Sequence, residues 1–292
     1  MSNILEIKNL TKYYGKVLGV KDLSLSLEEG EIFGFIGPNG AGKSTTIRSV
    51  MNLINKDSGE VIFNGKIFDK NDVESKRDIG YLPSEVIPYE DLTVKEMLDY
   101  HESFYDNKQK VHKRRCELVE RLKLDETKVC EDLSLGNLKK LGIVLSFMHE
   151  PKLIILDEPT SGLDPIIKQE FYELLKEEKK KGTTIFYSTH ILSEISKICD
   201  RVGIIKDGQL LKIETIGELL KKNLNLVMVK CDDVDKLIKE LNVEPISKGT
   251  NTVKFKNNLK ADELIKTLSK HTLDDILIEE ATLEDIFLHY YK

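Results

Sequence analysis

The stretch that most limits what this chain can fold into is Glu31-Ile-Phe-Gly-Phe-Ile-Gly37 with the residues that follow it, Pro38-Asn39-Gly40-Ala41-Gly42-Lys43-Ser44. The short apolar run reads as a buried strand. Gly37 to Ser44 then fits GxxxxGK[ST], a loop that holds phosphate between a strand and a helix, and a helix is predicted from about Lys43 to Leu53. Gly37, Gly40 and Gly42 let the backbone bend with its N–H groups turned inward, where a side chain would obstruct the anion. The helix N-terminus adds positive potential to that nest. Lys43 then reaches the β- and γ-phosphates of a nucleotide, and Ser44 ligates Mg2+. A glycine-rich turn can match such a pattern by chance, but the strand before it and the helix after it weigh against that reading.

Two further strands end in groups suited to the same anion. In Leu153-Ile-Ile-Leu-Asp157-Glu158 the apolar residues bury the strand, and the acids sit at its carboxyl end, where open α/β sheets bind ligands. Asp157 suits a direct or water-mediated contact to Mg2+. Glu158 is placed to polarise an attacking water as general base. Thr183-Thr-Ile-Phe-Tyr-Ser-Thr-His190 ends in a polar cluster; beside a γ-phosphate, His190 would donate a hydrogen bond to it or to the water. The other histidines, His101, His112, His149, His271 and His289, carry no pattern and read as surface or packing residues.

Strands alternate with helices around these motifs. Leu5–Tyr14 and Val17–Leu27 are strand-like and joined by a turn at Gly15, and Glu60–Phe63 and Ile79–Leu82 are short strands. Helical periodicity takes over from about Thr93 to His149, and a helix over about Pro165–Lys181 separates the strands that carry Asp157 and His190. This is an α/β chain: a P-loop NTPase core with an antiparallel β subdomain and a helical insertion at about 86–150. After about Lys222 the character changes. Leu224–Cys231 reads as a strand, Val234–Leu241 as a helix and Glu244–Lys256 as a hairpin; Ala261–His271 reads as a helix, Asp275–Glu280 as a strand and Leu283–Tyr291 as a final helix. The β-α-β-β-α-β order predicts a small α+β, ferredoxin-like C-terminal domain, giving domains 1–222 and 223–292.

Composition narrows the function classes. The content of 40% hydrophobic and 32% charged residues is that of a soluble globular protein, and a net charge of −6 argues against a general nucleic-acid binder. Cys116, Cys130, Cys199 and Cys231 are scattered, with no CxxC pair, as expected of reduced thiols in the cytosol. The N-terminus has no basic stretch followed by an apolar one, so no signal peptide is predicted. No apolar run approaches the ~18–20 residues a membrane helix needs, so a partner would do any spanning.

With these pieces in order, residues 4–215 resemble the ATP-binding subunit of an ABC transporter. The resemblance rests on separate motifs in the family's order. Gly37–Thr45 corresponds to Walker A, with Gly37, Pro38, Asn39, Gly40, Ala41, Gly42, Lys43, Ser44 and Thr45 around the phosphates, and Leu153–Glu158 to Walker B. Ser161-Gly-Leu-Asp164 corresponds to the D-loop, His190 to the switch histidine and Leu133-Ser-Leu-Gly-Asn137 to the signature. Tyr14 matches the aromatic that stacks on adenine, with Tyr13 the alternative. The resemblance gives ATP and Mg2+ as cofactors; Glu158, His190 and Lys43 as catalytic residues; and Ser44, Asp157 and Ser84 around the metal. Two positions depart from the commoner pattern. Leu135 and Asn137 replace Gly and Gln of the signature, while Ser134 and Gly136 are kept. Ser84 stands where the family commonly has Gln, so its contact would run through a water, or Glu85 would take over part of the role.

The resemblance implies a homodimer in which Ser134 and Gly136 face the ATP of the second subunit. It also implies a separate transmembrane permease, docked on the Tyr-Leu-Pro-Ser-Glu loop and the helices after it. The Thr282–Tyr291 segment looks like the tail of exporter-type ATPases in bacteria. The expected protein is thus an exporter ATPase peripheral to the cytoplasmic face of the membrane, with no nucleic acid as partner. Two other readings are a soluble ABC ATPase acting on the ribosome or DNA, and a non-catalytic ATP-binding regulator. The first usually has paired cassettes or a coiled-coil insertion, neither visible here, and Glu158 and His190 weigh against the second.

Overall fold

A computed structural model describes residues 2–221, 225–257, 259 and 261–280. They fall in two compact units, divided after Ile216. The predicted helix Leu283–Tyr291 lies outside the described residues.

The first unit opens with a long hairpin, β1 (Asn3–Tyr14) and β2 (Val17–Glu28), turned through Gly15 at φ 61°. Next come β3 (Ile32–Ile36), α1 (Lys43–Val50), β4 (Ser58–Phe63), β5 (Lys66–Ile67), α2 (Val73–Arg77) and β6 (Ile79–Leu82). The helical insertion contains α3 (Val94–Glu102), α4 (Lys108–Leu122) and α5 (Leu135–Phe147). The unit continues with β7 (Leu153–Asp157), α6 (Pro165–Lys180), β8 (Thr184–Thr189), α7 (Leu192–Ile198), β9 (Arg201–Lys206) and β10 (Gln209–Thr215), and α8 (Ile216–Lys221) follows.

Two sheets form. One is antiparallel, ordered β2-β1-β4-β5; the other is six-stranded, ordered β10-β9-β3-β8-β7-β6, parallel except at its β10 edge. Every residue of β3, β7 and β8 is buried, as expected of parallel strands covered on both faces. Phe33, Phe35 and Phe186 of this sheet share a core with Leu5, Ile7, Leu23 and Phe63 of the other, so the two sheets pack as one body. The β9–β10 hairpin is absent from the sequence prediction. Arg201-Val-Gly-Ile-Ile-Lys206 has a short apolar centre between charges, and its burial comes from pairing with β3, which local pattern does not reveal.

Parallel register gathers the strand ends. Ile36 pairs with Thr189, and Asp157 with Ser188. The phosphate-type loop after β3, His190 after β8 and Glu158 after β7 therefore leave the sheet side by side. Two helices start in ways that bear on the site. Ser134 caps α5, accepting from Asn137 N at 3.4 Å, and Asp164 caps α6, accepting from Ile166 N and Ile167 N at 3.0 Å each. Asp164, read from sequence as a D-loop residue, is thus also a helix cap, with Pro165 in the first turn where its missing N–H costs nothing.

The second unit runs β11 (Asn225–Cys231), α9 (Val234–Leu241), β12 (Pro245–Lys248), β13 (Thr252–Asn257), α10 (Ala261–Leu268) and β14 (Leu273–Glu280). Its antiparallel sheet is ordered β12-β13-β11-β14. Alternate residues of the central strands, Val227, Val229, Val253 and Phe255, pack against Leu237, Leu241, Leu264 and Leu268 of the two helices.

Candidate functional site

A cavity of about 260 Å3 opens where the loop after β3 meets the tip of the first hairpin, lined by Tyr14, Leu18, Gly19, Asn39, Gly40, Gly42, Lys43, Ser44, Thr45 and Glu158. Tyr14 lines it and Tyr13 does not; the Tyr13 amide donates instead to Asp57 at 2.6 Å. The Tyr14 ring is half exposed, and the Lys12 ammonium sits 5.5 Å from its centroid. A ring presented this way suits stacking on a flat base. Tyr14→Ala is expected to weaken ATP binding about 10-fold, within the range for loss of one base–aromatic stack, measurable by titration with a fluorescent ATP analogue.

The loop glycines are required for a reason the sequence reading does not give. A Cβ at Gly37 would lie 2.5 Å from the Ile205 carbonyl, and one at Gly42, whose φ is 106°, would lie 2.6 Å from the Gly19 carbonyl. These two glycines let the loop press against β9 and the hairpin. At Gly40 a Cβ meets nothing, so that position fits the expectation of an open approach to an anion.

Lys43 is buried, and its Nζ donates to the carbonyls of Gly37 at 2.8 Å and Pro38 at 3.2 Å. The same ammonium lies 3.5 Å from Glu158 Oε1, which in turn meets His190 Nδ1 at 3.1 Å. One carboxylate oxygen thus stands between the loop lysine and the histidine. The Glu158 backbone is left-handed, with φ 49°, and its N–H bonds the Ser188 carbonyl at 3.0 Å, turning the side chain away from the line of β7.

Behind it, Asp157 is fully buried. Its Oδ1 accepts from Ser188 Oγ at 3.2 Å, while Oδ2 has no protein partner. Burial raises its pKa, and the hydroxyls of Ser44 and Ser188 oppose that rise. A buried carboxylate oxygen lacking a protein donor, next to a loop serine, fits a hard cation such as Mg2+ that takes few protein ligands and keeps waters or phosphate oxygens for the rest.

Ser84, Ser134 and Gly136 are not among the residues lining the cavity. Gly136 packs on the Gly162 carbonyl, 3.0 Å from where its Cβ would be, and the Leu135 side chain covers Gly162 while remaining exposed. The signature segment and the D-loop thus touch within one chain.

Two buried groups escaped the sequence reading. Glu194 of α7 accepts from the hydroxyls of Thr160 at 2.6 Å, Thr189 at 2.8 Å and Tyr187 at 2.9 Å, with Lys168 3.4 Å away. It therefore ties the segment after Glu158 to the residue before His190. Its one sequence signal was a position one helical turn beyond His190. Burial works to raise its pKa, but the three hydroxyls and Lys168 outweigh it and leave the pKa lowered. Such a group contributes stability that is present above its unfolded value of about 4.5 and lost as pH falls through the folded value. Melting temperature should therefore drop steeply on acidification in the wild type. Glu194→Gln should cost roughly 3 kcal/mol of unfolding free energy at pH 7 and flatten the acid limb, as read by calorimetry. The second group is Lys139 of α5, described below.

The family described as ABC transporter matches residues 20–161. The linearmycin resistance ATP-binding protein LnrL of Bacillus subtilis (strain 168) is 37% identical over 222 residues, 75% of this chain and 71% of its own length. This chain belongs to the ABC transporter ATP-binding proteins. The bacitracin transport ATP-binding protein BcrA of Bacillus licheniformis is 38% identical over 243 residues, 82% of this chain and 78% of its own. Among solved structures, an ATP-binding cassette described as a dimer in a post-hydrolysis state bound to ADP and phosphate superposes with a TM-score of 0.66 at 25% identity, covering 73% of this chain and 98% of that one. The ABC chain described here accordingly has the mixed α/β fold of these cassettes, and it is an ATP-binding, ATP-hydrolysing subunit. No helix among its described residues is long and apolar enough to cross a membrane.

Proposed function

We propose that the chain powers export of a compound through a separate membrane permease, as a homodimer that hydrolyses two ATP molecules at its interface. The observation that carries the catalytic part is the shared Glu158 oxygen, 3.5 Å from Lys43 and 3.1 Å from His190 at the ends of adjacent parallel strands. In this reading Glu158 takes the proton from the attacking water, and His190 orients that water and the γ-phosphate. Lys43 and the amides of Gly37–Thr45 hold the phosphates, while Tyr14 stacks on the base. Ser44 and Asp157, together with Ser84, would hold Mg2+, which would supply positive charge against that developing on the phosphates.

Ser134 and Gly136, at the start of α5, grip the ATP of the second subunit. The names of the relatives LnrL and BcrA, linearmycin resistance and bacitracin transport, support a drug or peptide of that kind as cargo. Docking of the permease on the face around residues 87–104 is supported by exposed Ile87, Tyr89, Tyr100 and Phe104. The three rings there form an edge-to-face ladder at 5.7 and 5.0 Å. The C-terminal domain, from about residue 223, is read as ferredoxin-like, supported by the β-α-β-β-α-β order and the sheet order β12-β13-β11-β14. Location on the cytoplasmic face of the membrane follows from the need for ATP and a permease.

The test pairs two measurements. Mg2+-dependent phosphate release from ATP by the purified chain checks the enzyme. Affinity capture from detergent-solubilised membranes of its host checks the partner. Recovery of a multi-helix membrane protein supports the permease partner, and recovery of ribosomes or DNA in its place overturns it.

A further inference from the structure

The side chain of Lys139 lies in the middle of α5, 1% exposed. Its Nζ donates to the carbonyls of Pro83 at 3.0 Å and Ser84 at 2.7 Å, more than fifty residues away in the chain. A lysine so deeply buried is costly, because the ammonium leaves water and gains only carbonyl partners. A methionine would fill the same space without that loss. Burial pulls the lysine down to about 8, and the nearby charges of Asp157 and Glu158 work against the fall. The gripped segment follows β6, whose Leu82 pairs with Leu156 of β7, so the lysine holds the chain beside the strand that ends in Asp157 and Glu158.

The elements this one group connects are those whose relative placement hydrolysis depends on. Upstream on the same helix are Ser134 and Gly136, and Gly136 rests on Gly162. The residues gripped, Pro83 and Ser84, lead directly to the exposed Ile87 and Tyr89. We propose that Lys139 is a positioning residue, a buried cation that clamps the 83–84 segment to α5 and sets it relative to the Asp157–Glu158 carboxylates. The clamp rests on the ATPase reading above and adds a fixed strut between the surface after residue 84 and the site of hydrolysis. It works through backbone carbonyls, so its geometry does not depend on the side chain at position 84.

The test compares Lys139→Met and Lys139→Arg with the wild-type full chain. For Lys139→Met the expected result is a roughly 10-fold loss of kcat with KM for ATP within twofold. Amide hydrogen exchange should rise in residues 83–89 and stay unchanged in α1, and the melting temperature should be unchanged or higher. Lys139→Arg, which keeps charge and donors, should recover kcat to within about threefold. Unchanged kcat and unchanged exchange at 83–89 in Lys139→Met overturn the clamp, and so does a general loss of stability in which kcat and KM deteriorate together. If the methionine variant does not fold, Lys139→Leu, which also lacks a donor, is judged by the same criteria. Failure of the wild type itself to release phosphate would count against the ATPase reading and is separable from any effect of Lys139.

Discussion

Replacing Glu158 with Gln should abolish turnover while leaving ATP bound. A general base contributes on the order of 10^2- to 10^4-fold, and the amide cannot take the proton of water, so steady-state phosphate release is expected to fall at least ~100-fold. Binding should not weaken, for a reason visible in the geometry. The Glu158 carboxylate lies 3.5 Å from the Lys43 ammonium, the group proposed above to hold the phosphates. Removing its negative charge relieves a competitor for that lysine, so affinity should stay the same or rise. With hydrolysis blocked, contacts that favour closure persist, and the ATP-loaded variant should elute as a dimer in size-exclusion chromatography. Undiminished turnover in Glu158→Gln would reject Glu158 as the base.

Lys43→Ala should act at the opposite end of the cycle, on binding itself. Lys43 is buried, with its ammonium hydrogen-bonded to two loop carbonyls and facing the Glu158 carboxylate. Deleting it takes away the charge-assisted hydrogen bonds to phosphate and leaves a carboxylate facing the incoming anion. A loss of about 100-fold in ATP affinity, or ~2.7 kcal/mol, is expected by isothermal titration. Lys43→Arg is expected to rescue little, since a guanidinium spreads its charge over a planar fork and does not reproduce the point charge a single ammonium presents to phosphate. Unchanged affinity in Lys43→Ala would remove the loop from the nucleotide site.

Much of the site was legible because its chemistry is written in contiguous residues. Gly37 to Ser44 and Leu153 to Glu158 are each a strand end with its functional groups attached, and a buried parallel strand announces itself as an unbroken apolar run. What stayed hidden depends on residues far apart. In the Leu138-Lys139-Lys140 run, Lys139 looks like part of a charged helix face, and only the packing of α5 against Pro83 and Ser84 buries it. The three hydroxyls on Glu194 come from β8 and the segment after Glu158, a convergence that register creates and local pattern does not encode. The reason for Gly42 was also tertiary: its neighbour is the Gly19 carbonyl of the hairpin, more than twenty positions earlier.

That last contact has a consequence for what the site can measure. The hairpin bearing Tyr14 is fixed to the phosphate loop at Gly42, and the turn at Gly208 bonds both: Lys21 N donates to the Gly208 carbonyl at 2.8 Å, and Gly208 N donates to the Ala41 carbonyl at 3.0 Å. The ring at one end and the amide nest at the other are therefore the jaws of a rigid caliper. A flat ring accepts any purine face, whereas a caliper is set to one span. In the nucleotide site proposed above, selectivity would then fall on the distance from base to phosphates rather than on the edge of the base.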